Sequence, residues 1–267
     1  MAPAAHVTDR AVVVPMSHLE ALADAGLCRL MCPPAAPGGE VRQVYETLAG
    51  ACGVTFFVWV QHHGPVRALA ATDNDRLRAR HLDDLCAGRV LGGVAFSHLR
   101  RPGPPAMVAA AMPGGYRIDG EAPWVTSWGL AGLFLVAARL DDRVVWFLLD
   151  SRHPDPAVKP SAPLSLAAMN ASSTVRLRLD GLHVPEGDVV DVEAFAGWQE
   201  RDRVTTAQPN PAALGIAATC VRLLIDAAPD AAGLLGDELD DCRSLGYGLA
   251  DQGRTDPDQV AAMVDAR

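Results

Sequence analysis

Basic residues other than arginine are almost missing from this sequence of 267 residues, because Lys159 is the one lysine among 23 basic residues. Acidic residues number 32, which gives a formal net charge of −9. A protein that binds the phosphate backbone of nucleic acids normally carries a basic stripe or patch. The composition therefore argues against a nucleic-acid partner.

Long apolar runs are missing as well. No segment reaches the roughly 18 consecutive apolar residues that a membrane-spanning helix requires. The first residues, MAPAAHVTDRAVVVPMSHLE, have neither the basic start nor the long apolar core of a signal peptide. We therefore expect no membrane span and a cytoplasmic protein.

Several motifs that would indicate other chemistry are absent. The six cysteines lack the paired close spacing of a structural zinc site, so we expect free thiols and no metal. The chain has no G-x-S-x-G elbow, no phosphate-binding P-loop and no G-x-G-x-x-G after a predicted strand. His62 and His63 are adjacent, and neighbouring side chains point apart, so we interpret them as ordinary partly buried histidines. Hydrolase, NTPase and Rossmann functions lack support.

The sequence does contain a helical first region over residues 1–88. Ser17 and Glu20 form an S-x-x-E pattern that predicts a capped helix start. Val41 and Tyr45 lie on one face of a second predicted helix, with neighbours at helical spacing. The apolar segment GVTFFVWVQHHG fits either a buried strand or a fully buried helix.

Residues 89–195 have a different pattern, in which short alternating runs are separated by turn residues. Val175, Leu177 and Leu179 alternate strictly with charged residues, as is typical of a strand with one wet face. This region predicts an antiparallel barrel or sandwich.

Helices return in residues 196–267. Asn210 and Pro211 predict a helix start, and a second helix is expected over Asp237 to Ala250. The segment TDPDQVAAMVDAR predicts a third helix that carries Val260, Met263 and Val264 on one face. Three such helices leave an apolar flank, so we expect a homo- or hetero-oligomer formed through this incomplete bundle.

The order of helices, β-domain and helices, with a Trp-x-Thr segment in the β-domain, resembles the acyl-CoA dehydrogenase superfamily. The resemblance implies an α+β fold with an N-terminal helical domain (1–88), a middle antiparallel β-barrel domain (89–195) and a shortened C-terminal helical bundle (196–267). It covers nearly the whole chain. The segments that carry it are LGGVAFSHL, GGYRIDGEAPWVTSWGLAGLFLVAARLD, SSTVRLRLDGLHVPEGDVV and NPAALGIAATCVRLL.

The resemblance implies an FAD cofactor whose isoalloxazine ring lies along the Trp-x-Thr strand. Trp124 would then flank the ring and the Thr126 hydroxyl would bond its N5 edge, with Ser127 adjacent. Phe96 and Ser97 stand at the first barrel strand, where Ser97 supplies a hydroxyl in place of the usual threonine. A donor at N5 stabilises the negative charge that develops there as a hydride arrives.

The sequence departs from the family after Ser97. His98 replaces a glutamate, and Gly103 stands where the family has a serine near the FAD pyrophosphate. Arg100 or Arg101 either compensates as a phosphate ligand or lies on a solvated loop. Since Gly103 has no hydroxyl, we expect FAD to be held weakly.

No catalytic base is identified. Dehydrogenation of an acyl thioester requires a carboxylate to remove the α-proton, and Thr205 and Thr206 occupy one of the two places where the family keeps it. Glu200 and Asp202 are near in sequence. The expected function is a flavin-dependent CH–CH oxidoreductase that acts on acyl-CoA or a similar thioester. The alternatives are a non-catalytic or half-active subunit of a hetero-oligomeric acyl-CoA dehydrogenase, and a flavin monooxygenase-branch member.

Overall fold

The structure is a computed structural model that describes residues 5–153 and 155–253. Helices occupy both ends of this part of the chain. They are α1 (Ala5–Arg10), α2 (Met16–Asp24), α3 (Gly38–Ala51), α4 (Gly53–Gln61), α5 (His63–Ala71), α6 (Asp75–Cys86), α7 (Phe195–Ala207), α8 (Pro211–Leu224) and α9 (Pro229–Gly253).

The strands lie between the two groups of helices and form one sheet. They are β1 (Gly92–Ala95), β2 (Met107–Met112), β3 (Gly115–Val125), β4 (Leu133–Leu140), β5 (Arg143–Asp150), β6 (Val158–Pro160), β7 (Val175–Pro185) and β8 (Val189–Ala194). The division of the chain into domains at residues 88 and 195 stays a prediction.

The N-terminal helices decide between strand and helix for the segment GVTFFVWVQHHG, and they correct the predicted cap at Ser17. GVTFFVWVQHHG forms α4 and the start of α5, although its β-branched and aromatic residues suit a strand. Val58 and Trp59 are completely buried there, because helices and the sheet surround α4. The predicted capping box at Ser17 is wrong, since α2 starts at Met16 and no side chain caps it.

Helix α6 is defined at both ends by local chemistry. The Asn74 side-chain oxygen accepts a hydrogen bond from the Leu77 amide at 3.0 Å, which satisfies one of the free N–H groups of the first turn. Gly88 has φ of +69°, the left-handed conformation that commonly ends a helix. The predicted stop at Gly88 is confirmed.

The sheet departs from the predicted antiparallel barrel. Its order is β6-β7-β3-β2-β4-β5-β8, and β1 pairs with β4 off this path. Both β1 and β2 pair with β4 in parallel, and no pairing joins β6 to β8 among the described strands. The prediction was wrong on closure and on uniform direction, because alternation reveals which face of a strand is wet but not which strands are its neighbours.

The two faces of the sheet are covered by different partners. Ile118, Phe134 and Leu177 belong to a core on one face, where each is completely buried. Leu69 of α5 and Leu77 of α6 pack with residues of β4 and β5 on the other face. Strands β4 and β5 are therefore buried on both sides, whereas β7 has one exposed face along its length.

The C-terminal helices contain one element that the sequence did not predict, α7. Its apolar residues have little helical periodicity, and Trp198 is its one buried residue. Helix α8 begins as predicted, with the Asn210 side chain accepting from the Ala212 amide at 3.0 Å and Pro211 in the first turn. Helix α9 starts before the predicted Asp237. The helix predicted around Val260 lies outside the described residues.

Membrane-spanning helices and metal-binding clusters are both absent from the described residues. None of the helices there combines the length and apolarity needed to cross a membrane. No group of three or more histidine, cysteine, aspartate or glutamate side chains is arranged there to hold a metal ion.

Candidate functional site

The end of β3 presents an aromatic side chain to solvent. Trp124 is 48% exposed, although Val125 beside it is completely buried. The pairing of β3 with β7 is irregular between Ala122 and Val125, and such an irregularity redirects side chains. The indole of Trp124 therefore offers a flat apolar surface at the rim of the sheet.

A tight turn follows Trp124 and encloses a serine. Ser127 has φ of +69°, an uncommon conformation for a residue with a side chain. Its amide donates to the Ser172 carbonyl at 2.8 Å, and its own carbonyl accepts from Leu130 and Ala131. The Ser127 hydroxyl is buried and has no hydrogen-bond partner. An enclosed hydroxyl of this kind in a strained turn is a common feature of binding sites.

Three further hydroxyls are linked beside this turn. Thr126 Oγ1 lies 3.2 Å from Thr174 Oγ1, and Ser172 Oγ lies 2.7 Å from the same Thr174 oxygen. All three residues are buried. The bonds join the end of β3 to the segment that leads into β7, 48 residues further along the chain.

The residues after β1 approach the same strand. A short 3-10 helix over Ser97–Arg100 lies beside β3. The Ser97 hydroxyl is enclosed and has no partner. Phe96 packs edge-on against Trp146, with ring centroids 5.3 Å apart. The structure thus brings Ser97 to the neighbourhood of β3 and places Phe96 at the edge of a separate cleft.

His98 is part of the core. Its Nε2 donates to the Ala137 carbonyl at 3.0 Å, and burial lowers the pKa of its imidazole. The other ring nitrogen is therefore the unprotonated one, and it has no partner. His98 anchors the 3-10 helix to β4 as a neutral side chain.

A cleft of about 510 Å³ lies between α5, α7 and the sheet. Phe96, Trp146 and Trp198 line its apolar part. The sequence reasoning missed the contribution of Trp198, because α7 had no recognisable pattern. Arg67, Arg201, Asp202 and Thr205 are among the polar residues that line the cleft.

Arg100 and Asp202 form a two-point ion pair at this cleft. The guanidinium Nε and Nη2 lie 2.8 and 2.7 Å from the two carboxylate oxygens. The hydrogen bond to Asp202 raises the pKa of Arg100 further, which keeps the guanidinium charged. Arg100 is therefore committed to a protein partner and is not a free phosphate ligand.

The other positions considered for a catalytic acid do not provide one in the cleft. The Thr205 and Thr206 hydroxyls donate to backbone carbonyls of their own helix, each at 2.8 Å. Glu200 is exposed and is paired with Arg203, whose hydrogen bond lowers the pKa of the carboxyl. Of the carboxylates that the sequence suggested, Asp202 is the one that lines the cleft.

A second cavity, of about 320 Å³, follows the loop after Arg100. Arg101, Gly103 and Arg139 line it, and the Arg139 guanidinium lies 3.6 Å from the centre of the Phe195 ring. Arg139 Nε is buried without a partner, and Arg101 has no ion pair within the described residues. A side chain on Gly103 would meet no atom within 4 Å. This cavity is the basic part of the region.

His62 and His63 are fully buried at the α4–α5 junction. His62 Nδ1 accepts from the Gly92 amide at 2.9 Å, and its Nε2 donates to the Cys28 carbonyl at 3.1 Å. Burial lowers the pKa of His62 to about 4 and that of His63 to about 3. His62 connects the helices to β1, His63 packs against Trp59 and Tyr45, and both side chains are neutral near pH 7.

The fold of this chain occurs in solved structures. Butyryl-CoA dehydrogenase from Megasphaera elsdenii superposes with a TM-score of 0.75 at 17% identity, over 94% of this chain and 74% of that protein. A glutaryl-CoA dehydrogenase bound to glutaryl-CoA gives 0.77 at 17% identity, over 94% and 72%. The FAD complex of PigA gives 0.74 at 14% identity, over 92% and 74%.

These likenesses define the class of the fold. The chain has the acyl-CoA dehydrogenase fold, with its sheet between two groups of helices. No sequence family and no curated protein matches the chain. The fold is thus established by structure, while the chemistry has to be argued from the site.

Proposed function

We propose that this protein is a flavin-dependent oxidoreductase of the acyl-CoA dehydrogenase type, which binds FAD at the ends of β1 and β3 and acts on acyl-CoA or a similar thioester. One observation carries the proposal. The exposed indole of Trp124 lies next to a turn whose Ser127 hydroxyl is enclosed without a partner, and the Ser97 hydroxyl beside β3 is also unpartnered. These are the features expected where a flat, polar-edged group binds.

Each predicted site residue has a role in this proposal. Trp124 provides the flat surface for the isoalloxazine ring, and Thr126 provides a hydrogen-bond donor at its N5 edge. Ser97 and Ser127 bring hydroxyls that the protein leaves unpaired, and Phe96 packs the end of β1 against Trp146. When bound, the flavin supplies a two-electron acceptor for a hydride from the substrate.

The basic cavity is proposed to hold the FAD diphosphate. Arg100 is bound to Asp202, so Arg101 and Arg139 are the cations that remain for this role. A guanidinium binds phosphate oxygens well through paired N–H donors. Because Gly103 offers no hydroxyl there, we expect weaker retention of FAD than a site with a serine would give.

The ion pair between Asp202 and Arg100 favours a second candidate function. A general base has to lie within hydrogen-bond reach of the substrate's α-proton, and both carboxylate oxygens of Asp202 are already bound to the Arg100 guanidinium. We therefore propose that the chain alone oxidises acyl thioesters slowly, as in a half-active or non-catalytic subunit of a hetero-oligomeric dehydrogenase. The monooxygenase branch, in which reduced flavin activates oxygen without a carboxylate base, is the remaining alternative.

The C-terminal helices are proposed as the contact surface for such a partner or for a second copy of the chain. Leu223, Leu234 and Leu245 are 75%, 69% and 65% exposed on α8 and α9. Helices α8 and α9 contact each other, and a continuous patch of exposed apolar side chains is more common at interfaces than on monomer surfaces.

The test is flavin binding by the purified protein. We expect visible flavin absorbance after addition of FAD, and weaker binding by Trp124→Ala and Thr126→Val. Thr55→Val is a matched control, because it removes a buried hydroxyl that bonds Cys52 in the helical region. Wild-type protein without flavin affinity, or site variants that bind as wild type does, would contradict the proposal.

Turnover separates the two candidate functions. Acyl-CoAs of short, medium and long chain are tested with an electron acceptor, and the isolated chain is expected to remain far below the ~10 s⁻¹ of a median enzyme. Turnover near that value, lost in Asp202→Asn, would make Asp202 the base and contradict the half-active reading.

A further inference from the structure

The three linked hydroxyls of Thr126, Thr174 and Ser172 form a chain with a definite number of protons. Thr174 is in the middle, at 3.2 Å from Thr126 and 2.7 Å from Ser172. Neither end has another hydrogen-bond partner among the described residues. Each hydroxyl carries one proton and accepts up to two hydrogen bonds. Two bonds therefore use two of the three protons, and one proton is left over.

The leftover proton has three possible positions. If Ser172 donates to Thr174 and Thr174 donates to Thr126, the free proton is on Thr126. If the direction is reversed, the free proton is on Ser172. If both ends donate to Thr174, the free proton is on Thr174. In the last two cases the Thr126 hydroxyl donates its proton to Thr174 and therefore cannot donate it to a ligand.

Burial distinguishes these arrangements. Ser172 is completely buried, and Thr174 is enclosed between its two partners. An unpaired buried donor costs about 1 to 3 kcal/mol. Thr126 is the least buried of the three residues, at 6% exposed against 4% for Thr174 and 0% for Ser172, and it lies at the end of β3, so its proton is the one nearest to a ligand at the rim. The arrangement with the free proton on Thr126 is thus the most favourable.

Backbone hydrogen bonds hold the three hydroxyls in their relative positions. The Ser127 amide donates to the Ser172 carbonyl at 2.8 Å, and the Trp128 amide donates to the Ser173 carbonyl at 3.1 Å. Ser127 and Ser173 both have positive φ, at +69° and +50°. Two strained segments are thus bonded to each other, which fixes the three hydroxyls relative to one another.

We propose that Ser172 and Thr174 are positioning residues, which direct the Thr126 proton outward so that Thr126 is a donor to the acceptor edge of the bound flavin. This inference rests on the proposed function. Ser172 and Thr174 do not touch the flavin; they act through Thr126. Their effect should therefore disappear when the Thr126 hydroxyl is removed.

The experiment measures FAD affinity, the flavin absorption spectrum and the flavin midpoint potential. Thr174→Val removes the central hydroxyl at nearly constant shape, and FAD affinity should fall about 2- to 10-fold, the effect of one hydrogen bond. The potential should become more negative, because a donor at N5 stabilises the reduced flavin. Ser172→Ala should act in the same direction with a smaller effect, and Thr174→Ser should restore wild-type values.

A double-mutant cycle tests whether Thr174 affects flavin binding through Thr126. In the Thr126→Val background, Thr174→Val should cause no further change in affinity or potential. Thr55→Val controls for the loss of a buried hydroxyl elsewhere, and circular dichroism identifies any variant that does not fold. Ser172→Ala and Thr174→Ser then provide the comparison if Thr174→Val is unfolded.

The outcomes separate this inference from the proposed function. If Thr126→Val weakens FAD binding while Thr174→Val and Ser172→Ala bind as wild type, the positioning role is wrong and the flavin site stands. Additive effects of Thr126→Val and Thr174→Val would also overturn it, because Thr174 would then not act through Thr126. Wild-type protein that binds no flavin would overturn both.

Discussion

The sheet buries most of its large apolar side chains, whereas the C-terminal helices expose several of theirs. Phe134 and Phe147 of the sheet are completely buried, and β4 and β5, to which they belong, are covered on both faces. Leu223 and Leu234 of the C-terminal helices are 75% and 69% exposed. The proposed flavin site lies on the packed region, where neighbouring strands hold its side chains in place. The C-terminal helices provide a surface instead of a core.

The C-terminal helices are attached to the rest of the molecule by close backbone contact and by polar bonds. Gly215 of α8 lies directly against the Glu46 backbone of α3, with no room for a Cβ atom. The Glu46 side chain accepts from Arg243 at 3.0 Å and from Tyr247 at 2.7 Å. This attachment leaves the leucines of α8 and α9 free to contact another molecule, which is the difference that the following predictions test.

The largest effect is expected for a leucine of the sheet. Leu177→Ala removes a completely buried side chain of β7, and we expect a loss of about 2 to 5 kcal/mol in the free energy of unfolding. The matched change Leu223→Ala on α8 removes a side chain that is 75% exposed, and should alter stability by no more than about 0.5 kcal/mol. Urea denaturation measures both.

The same pair of variants examines the proposed interface. Light scattering should show weaker association for Leu223→Ala and unchanged association for folded Leu177→Ala. A monomeric wild type, or a Leu223→Ala variant as destabilised as Leu177→Ala, would contradict the contrast between the two regions.

A smaller effect is expected for a glycine at the attachment. Gly215→Ala would place a methyl group against the Glu46 carbonyl, and we expect a loss of about 1 to 3 kcal/mol as α8 moves away from α3. Gly233→Ala is the matched control in α9, because a Cβ there meets no atom within 4 Å. Alanine favours a helix over glycine, so this control should be stabilising by up to about 1 kcal/mol.

Thermal unfolding followed by circular dichroism measures both glycine variants. Equal effects at the two positions would mean that the close approach of α8 to α3 is not what holds the C-terminal helices. The difference in exposure between the leucines of the sheet and those of α8 and α9 would then have another cause.

The last prediction concerns the dependence of stability on pH. Burial, with smaller contributions from the charges of His62 and Arg67, lowers the pKa of His63 to about 3. The native state therefore excludes a proton that the unfolded state binds below its pKa of about 6.5. Stability from this group is complete above pH 6.5 and is lost as the pH falls toward 3. Each such histidine contributes a slope of about 1.4 kcal/mol per pH unit in that range.

His63→Phe removes this proton binding and keeps a ring between Trp59 and Tyr45. We expect the slope of unfolding free energy between pH 4.5 and 6 to decrease by about 1.4 kcal/mol per pH unit. Chemical denaturation at several pH values measures the slope. An unchanged slope would mean that His63 is protonated in the folded protein, and hence that the helical region near β1 is less tightly packed than the sheet.

The sequence by itself determined the features that depend on neighbouring residues. The alternation of Val175, Leu177 and Leu179 predicted the wet and dry faces of β7, and the Asn210–Pro211 pair predicted the start of α8. The Trp-x-Thr segment indicated the class of fold that the structural comparison confirmed. The first two features follow from local geometry and capping chemistry, which a short stretch of sequence contains in full, whereas the class of fold followed from a resemblance.

Tertiary structure alone decided what depends on distant partners. GVTFFVWVQHHG became a helix because its surroundings bury it on all sides, and β1 and β2 run parallel to β4 because of pairings that no local pattern reports. The bond between Arg100 and Asp202 spans 102 positions, and it removed one predicted phosphate ligand from consideration. The hydroxyl chain from Ser172 to Thr126 likewise exists only because folding brings two strained turns within hydrogen-bond distance, where the energy of each contact depends on atoms far apart in sequence.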